Sequence, residues 1–165
     1  MVTQDDDQKQ DSRPPTVEDL VRLCRELNAL DAKYLVIGGM AMIHAGFVRT
    51  TEDIDLLVEG SQLNQARVRQ ALSVLPDNAV RELAEDDLDR YAVVRVADEI
   101  VVDLMKSACG IDYDAASIGS VQMKVDDVLI PFAGPEMLWR MKQTLREKDR
   151  QDLLFLMALL GKEME

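Results

Sequence analysis

The chain has 165 residues, 47% of them hydrophobic and 30% charged, with a formal net charge of −12. That length and apolar share suffice for one domain with a proper core. The acidic balance argues against a general nucleic-acid or anionic-membrane binder, both of which need a basic footprint, and an aromatic share of 4% leaves few faces on which bases can stack.

No apolar stretch approaches the roughly 20 residues of a membrane span. The N-terminus lacks the basic region and apolar core of a secretion signal, so a cytoplasmic protein is expected. Cys24 and Cys109 are too few and too scattered for a disulfide framework or a zinc site, and read as reduced, partly buried thiols.

In chain order, residues 1–15 (MVTQDDDQKQDSRPP) hold almost nothing that can be buried and read as a disordered acidic tail. Residues 16–165 read as a single domain, with a sheet core over 16–134 and C-terminal helices over 135–165. Thr16 is a helix cap, with Glu18 and Asp19 favourable in the first turn. Leu20, Leu23, Leu27 and Leu30 continue the helix as an apolar stripe.

Tyr34–Ile37 reads as a buried strand that stops at Gly38-Gly39, where the backbone turns tightly. Met40 to Gly46 reads as a short helix and Arg49-Thr50-Thr51 as the loop after it. Asp53-Ile54-Asp55 then opens a second apolar run. On a strand, the period of two places Asp53 and Asp55 on one face. Two such carboxylates repel each other and resist desolvation. A hard divalent cation, Mg²⁺ or Mn²⁺, resolves both problems. The glycine corner supplies backbone N–H groups that can cradle phosphate. A phosphate seat beside a metal seat points to phosphoryl-type transfer from a nucleotide.

Ser61 caps a further helix that closes near Pro76. The acidic stretch 77–90 reads as a solvated loop or strand edge. Tyr91–Val96 and Glu99–Met105 read as two strands joined by a tight turn at Ala97-Asp98. Asp103 lies within the second of them, and burying a lone carboxylate there is expensive. Its face is open to solvent, or an arginine satisfies it, or it joins Asp53 and Asp55 as a third ligand. Residues 106–120 read as loop or short helix, 121–132 as a hairpin about Asp126-Asp127, and Gly134-Pro135 as a boundary before two helices. Arg140, Lys142, Arg146, Lys148 and Arg150 make the one basic concentration, which by spacing alone is a solvated helix face. His44 and Trp139 read as incidental packing residues.

Gly38-Gly39 followed by Arg49-x-Thr51-x-Asp53-Ile54-Asp55 resembles the first motif of the polymerase-beta-type nucleotidyltransferase superfamily. It is most similar to small bacterial members such as the AbiEii-type toxins and minimal nucleotidyltransferases. The order of Lys142 and then Lys148-Asp149-Arg150-Gln151-Asp152 resembles a second motif of the AbiEii-type proteins. The resemblance implies an α/β (α+β) fold, a small mixed sheet flanked by helices with a C-terminal helical pair. It implies transfer of a nucleoside monophosphate from an NTP to an acceptor: a small molecule, a protein or a tRNA end. Asp53, Asp55 and Asp103 would hold Mg²⁺ or Mn²⁺, with Asp103 also helping to deprotonate the acceptor. Gly38, Gly39, Arg49, Thr51, Lys142 and Lys148 would bind the nucleotide. The alternative is a nucleotide-binding or toxin–antitoxin partner protein on the same fold, without catalysis.

Overall fold

The computed structural model describes residues 12–144 and 146–162, the side chain of Lys148 excepted. The first eleven residues of the expected tail lie outside these. Its last four belong to the folded body instead. The Ser12 hydroxyl donates to the Asp98 carbonyl at 2.6 Å, and Arg13 N–H donates to the Glu99 carbonyl at 2.9 Å. Pro15 is buried. Sequence composition hides this, because the anchors are one hydroxyl, one guanidinium and backbone.

Helix α1 (Val17–Ala29) begins at a capping box: Thr16 Oγ1 accepts from Asp19 N–H at 3.2 Å, and Asp19 Oδ2 accepts from Thr16 N–H at 2.7 Å. Arg13 adds a fork onto the same carboxylate, at 2.6 and 2.8 Å. That fork, with the Thr16 bonds, outweighs burial and holds the Asp19 carboxyl down at about 2. A carboxyl depressed by folding stabilises the protein above its unfolded value near 4, and that stability is lost as pH falls toward 2. Asp19→Asn is therefore expected to cost about 1–2 kcal/mol at pH 7, discounted for the half-exposed Arg13. Urea titrations should show the gap between the two proteins closing as pH drops from about 4 to about 2.

The remaining elements are β1 (Tyr34–Ile37), α2 (Gly38–His44), β2 (Asp53–Val58), α3 (Gln62–Leu72), α4 (Asp87–Arg90), β3 (Val94–Ala97), β4 (Val101–Met105), β5 (Ser107–Ala108), β6 (Ile111–Asp112), α5 (Tyr113–Ser117), β7 (Val121–Val125), β8 (Val128–Phe132), α6 (Pro135–Met141) and α7 (Glu147–Leu160). Six strands form one mixed sheet in the order β3-β4-β2-β1-β8-β7, and β5 with β6 forms a separate hairpin. The β4–β2 and β1–β8 neighbours are parallel and the other three pairs antiparallel. The α/β architecture with a mixed sheet, flanking helices and a C-terminal helical pair is the one the sequence led us to expect.

Every residue of β1 is buried, which suits a strand in the middle of a sheet with both faces covered. Helix α1 packs on α3 and β8, α2 on β1 and β2, and α6 on α7. Their apolar faces join the strands in one core containing Leu20, Leu27, Val36, Ile54, Leu56, Leu72, Val102, Leu104 and Ile130.

Several boundaries differ from the sequence reading. Helix α2 starts at Gly38, so the two glycines form its first turn. The acidic stretch 77–90 contains a 3-10 turn at Ala79–Glu82 and the helical turn α4, because Val80 and Leu88 plug into the core while the acids stay outside. The β3–β4 connection is Asp98–Ile100, with Ala97 paired to Val101. Buried Asp98 fixes it by accepting from Asp77, Ala79 and Glu99 N–H groups. Cys24 is fully buried, which pushes its thiol up to about 12, but Cys109 is exposed, not partly buried. His44 stacks on Phe132 with ring centroids 4.2 Å apart, and Lys162 sits over the Trp139 ring at 4.4 Å.

Candidate active site

Strand register assembles the acids. In the parallel β2–β4 pair Asp55 lies beside Asp103, and in the antiparallel β3–β4 pair Asp103 lies beside Arg95. Laterally paired residues project from the same face. Asp55, Asp103 and Arg95 thus form a row across three strands, with Asp53 two residues along from Asp55. One oxygen from each of Asp53, Asp55 and Asp103 lies within 4.8 Å of the others. Hard carboxylate oxygens converging at this spacing could hold a divalent metal ion.

Asp103 is 6% exposed, so its charge needs a partner. Arg95 supplies one as a fork: Nε donates to Oδ1 and Nη2 to Oδ2, both at 2.9 Å. The same Nη2 is 3.4 Å from Asp53 Oδ2. An arginine therefore satisfies Asp103, as one of the readings had it, and the same carboxylate lies beside those of Asp53 and Asp55. Arg95 is a residue of the site that no sequence motif marks. A tight turn at Ala97-Asp98 would pair Asp103 with Ala92, whereas the three-residue connection moves Arg95 opposite it. Recognising Asp98 as a buried loop cap was the signal that could have revealed the shift.

The glycine corner abuts this row because β1 runs antiparallel to β2 with Ile37 opposite Asp55. Gly38 adopts φ +67°, and a β-carbon there would run into the Asp55 carboxylate. A β-carbon on Gly39 would strike the Thr51 hydroxyl. Both glycines are thus required by close approach, and Gly38 also by backbone conformation. Gly38→Ala is expected to fold with Tm lowered by a few degrees. It should also lose any Mn²⁺-induced rise in Tm, since Asp55 must turn away from the other acids. Thermal shift with and without Mn²⁺ checks both.

Two buried acids of α7 hold cations from the loop before β2 and from the connection between α6 and α7. Asp152, 2% exposed, receives Arg49 Nη1 at 2.6 and 2.7 Å and Lys142 Nζ at 3.0 Å. Asp149 receives Lys142 Nζ at 3.3 Å, Arg146 Nε at 2.7 Å and the Thr144 hydroxyl. Burial pushes the Asp149 carboxyl up, but the Thr144, Lys142 and Arg146 contacts outweigh it and leave the group below the ordinary carboxylate range.

Lys142 is therefore not on a solvated helix face as spacing suggested: its side chain is 12% exposed and it follows the last turn of α6. Arg140 and Arg150 are exposed, as that reading had it. Lys148 lies in α7, with its side chain outside the described residues. Thr51 is buried and its hydroxyl donates to the Asp53 carbonyl at 3.0 Å, so it braces the entrance to β2. Arg49, Thr51, Lys142, Arg146, Asp149 and Asp152 share with Gly38, Gly39, Arg95 and the three acids a cleft of about 630 Å³.

The mixed sheet with its flanking helices has the nucleotidyltransferase fold. The chain is similar to the crystal structure of a candidate nucleotidyltransferase from Thermotoga maritima, with a TM-score of 0.56 at 14% identity, over 88% of this chain and 92% of that one. No protein-family model matches the sequence, and no curated protein does. The likeness is therefore one of fold. Among the described residues no helix is long and apolar enough to cross a membrane.

Proposed function

We propose that the protein is a metal-dependent nucleotidyltransferase that moves a nucleoside monophosphate from an NTP to an acceptor hydroxyl. The observation that carries this reading is the convergence of Asp53, Asp55 and Asp103 within 4.8 Å, against a corner where Gly38 leaves no room for a β-carbon. An acid cluster alone is common on protein surfaces. One that abuts a diglycine turn and faces a cleft lined with Arg49 and Lys142 is a seat for a metal-bound triphosphate.

Divalent cations held by Asp53, Asp55 and Asp103 would neutralise the triphosphate and polarise the reacting phosphoryl group. The Gly38-Gly39 backbone would seat the phosphate tail. Arg49 and Lys142 would supply positive charge where pyrophosphate charge develops, with Asp149 and Asp152 keeping those side chains in place. Lys148 would add a further charge, and Thr51 would keep Asp53 in line. In the reaction a bond forms between the acceptor oxygen and the α-phosphorus, the bond from that phosphorus to the bridging oxygen breaks, and pyrophosphate leaves. Asp103 would be the third ligand and would help take the proton of the acceptor hydroxyl, passing it on to solvent, with the Arg95 fork holding its carboxylate in position.

The order of Lys142 and then Lys148-Asp149-Arg150-Gln151-Asp152 supports placing the chain with the small AbiEii-like members. On that reading the acceptor is a small molecule, a protein or a tRNA end, and a toxin–antitoxin partner is a candidate binder. The test is incubation with α-labelled NTPs, Mg²⁺ and cell extract. Label should appear on one class of acceptor with release of pyrophosphate. Mg²⁺-dependent NTP binding without pyrophosphate release across many acceptors would instead support the non-catalytic nucleotide-binding protein.

A further inference from the structure

Arg95 enters the acid row from outside the motif that defines it. It projects from β3, the edge strand of the six-stranded sheet, and its guanidinium contacts Asp103 through two nitrogens and Asp53 through one of them. It therefore places a full positive charge against two of the three carboxylates that would ligate a cation. We propose that Arg95 is a resident counter-charge: its guanidinium occupies carboxylate oxygens that a divalent cation would use, and so sets how much cation is needed to load the site. The inference rests on the nucleotidyltransferase reading, since it takes those acids to be metal ligands.

Two effects of Arg95 oppose each other. The fork fixes the Asp103 carboxylate, which favours any ligand that needs it in that position. The guanidinium charge repels an incoming dication and competes for the same oxygens. Asp103 is already confined by burial and by its place between β2 and β3, so the fork adds little orientation. The Arg95 side chain is 61% exposed, so its repulsion is screened, but a unit charge a few ångströms from a dication still changes affinity on the order of tenfold. Repulsion wins. In consequence the site discriminates between a free cation and one that arrives with a nucleotide. The triphosphate brings negative charge that offsets Arg95, so the metal–nucleotide complex pays less of the repulsion than the bare ion.

The test is a titration of the full chain with Mn²⁺, reading free Mn²⁺ by electron paramagnetic resonance. It is done alone and with a non-hydrolysable α,β-methylene ATP analogue. Arg95→Gln is expected to tighten binding of free Mn²⁺ on the order of tenfold, and to tighten binding of the Mn²⁺–analogue complex by less. Arg95→Lys keeps the charge and loses the fork, and should stay near the unsubstituted protein. Weaker Mn²⁺ binding in both variants would overturn the proposal, showing that Arg95 only orients Asp103. Unchanged binding in Arg95→Gln would overturn it as well. If the unsubstituted protein and Arg95→Gln both bind no Mn²⁺, with or without nucleotide, it is the nucleotidyltransferase reading that fails. If the glutamine variant does not fold, the lysine variant decides: a loss of affinity beyond threefold overturns the proposal and its absence supports it.

Discussion

Asp55→Asn is expected to reduce nucleotidyl transfer on the order of a thousandfold or more, with the fold intact. The change is isosteric and removes one charge from a row of three acids. Transfer from an NTP depends almost entirely on positioning and on neutralising phosphate charge, so loss of one metal carboxylate removes several kcal/mol of transition-state stabilisation. Asp55 occupies the middle of the arrangement. It pairs laterally with Asp103 on one side and with Ile37, next to the glycine corner, on the other. The measurement is single-turnover transfer of label, with circular dichroism to show that the variant is folded. A variant retaining a tenth of the activity would contradict the role given to Asp55.

Asp152→Asn is expected to have the largest effect on stability. Asp152 is buried between Arg49 and Lys142, whose side chains are only 28% and 12% exposed. Neutralising it leaves the poorly solvated Arg49 guanidinium without its carboxylate and Lys142 with Asp149 alone, and removing one partner of a buried pair costs about 3 kcal/mol or more. For a chain of this length that lowers Tm by roughly 6–12 °C. Because the same two side chains line the cleft, KM for the NTP should rise as well. Asp149 still holds Lys142 in this variant, so Arg49 is the group set loose. Calorimetry and NTP saturation curves check the two effects, and an unchanged Tm would show that the pairing contributes nothing.

The sequence disclosed the site unevenly, for identifiable reasons. Asp53 and Asp55 lie two residues apart on β2, so strand periodicity was enough to put them on one face, while the glycine pair, separated from them by α2 and a loop, was tied to them by motif spacing. Asp103 was legible because a carboxylate in a run of Ile100-Val101-Val102 and Leu104-Met105 calls for an explanation. Arg95 was not, since its placement depends on strand register: the connection held by Asp98 is one residue longer than the expected turn and starts one residue later, which together bring Arg95 instead of Ala92 opposite Asp103. The Lys142 network was misjudged by spacing because i,i+4 counting sees only one helix. Lys142 ends one helix, and its acids Asp149 and Asp152 lie on the next. The α/β sheet with a helical pair was recoverable from alternating apolar runs and caps. The docking of residues 12–15 was not, because hydroxyl and backbone anchors leave no pattern in composition.

Crystals soaked with Mn²⁺ and the α,β-methylene ATP analogue, measured at the manganese absorption edge, test the central claim most directly. The account predicts an anomalous peak coordinated by Asp53, Asp55 and Asp103, with the triphosphate running over Gly38-Gly39 toward Arg49 and Lys142. A cleft that takes up neither ion nor nucleotide, or manganese bound away from those three carboxylates, would contradict it.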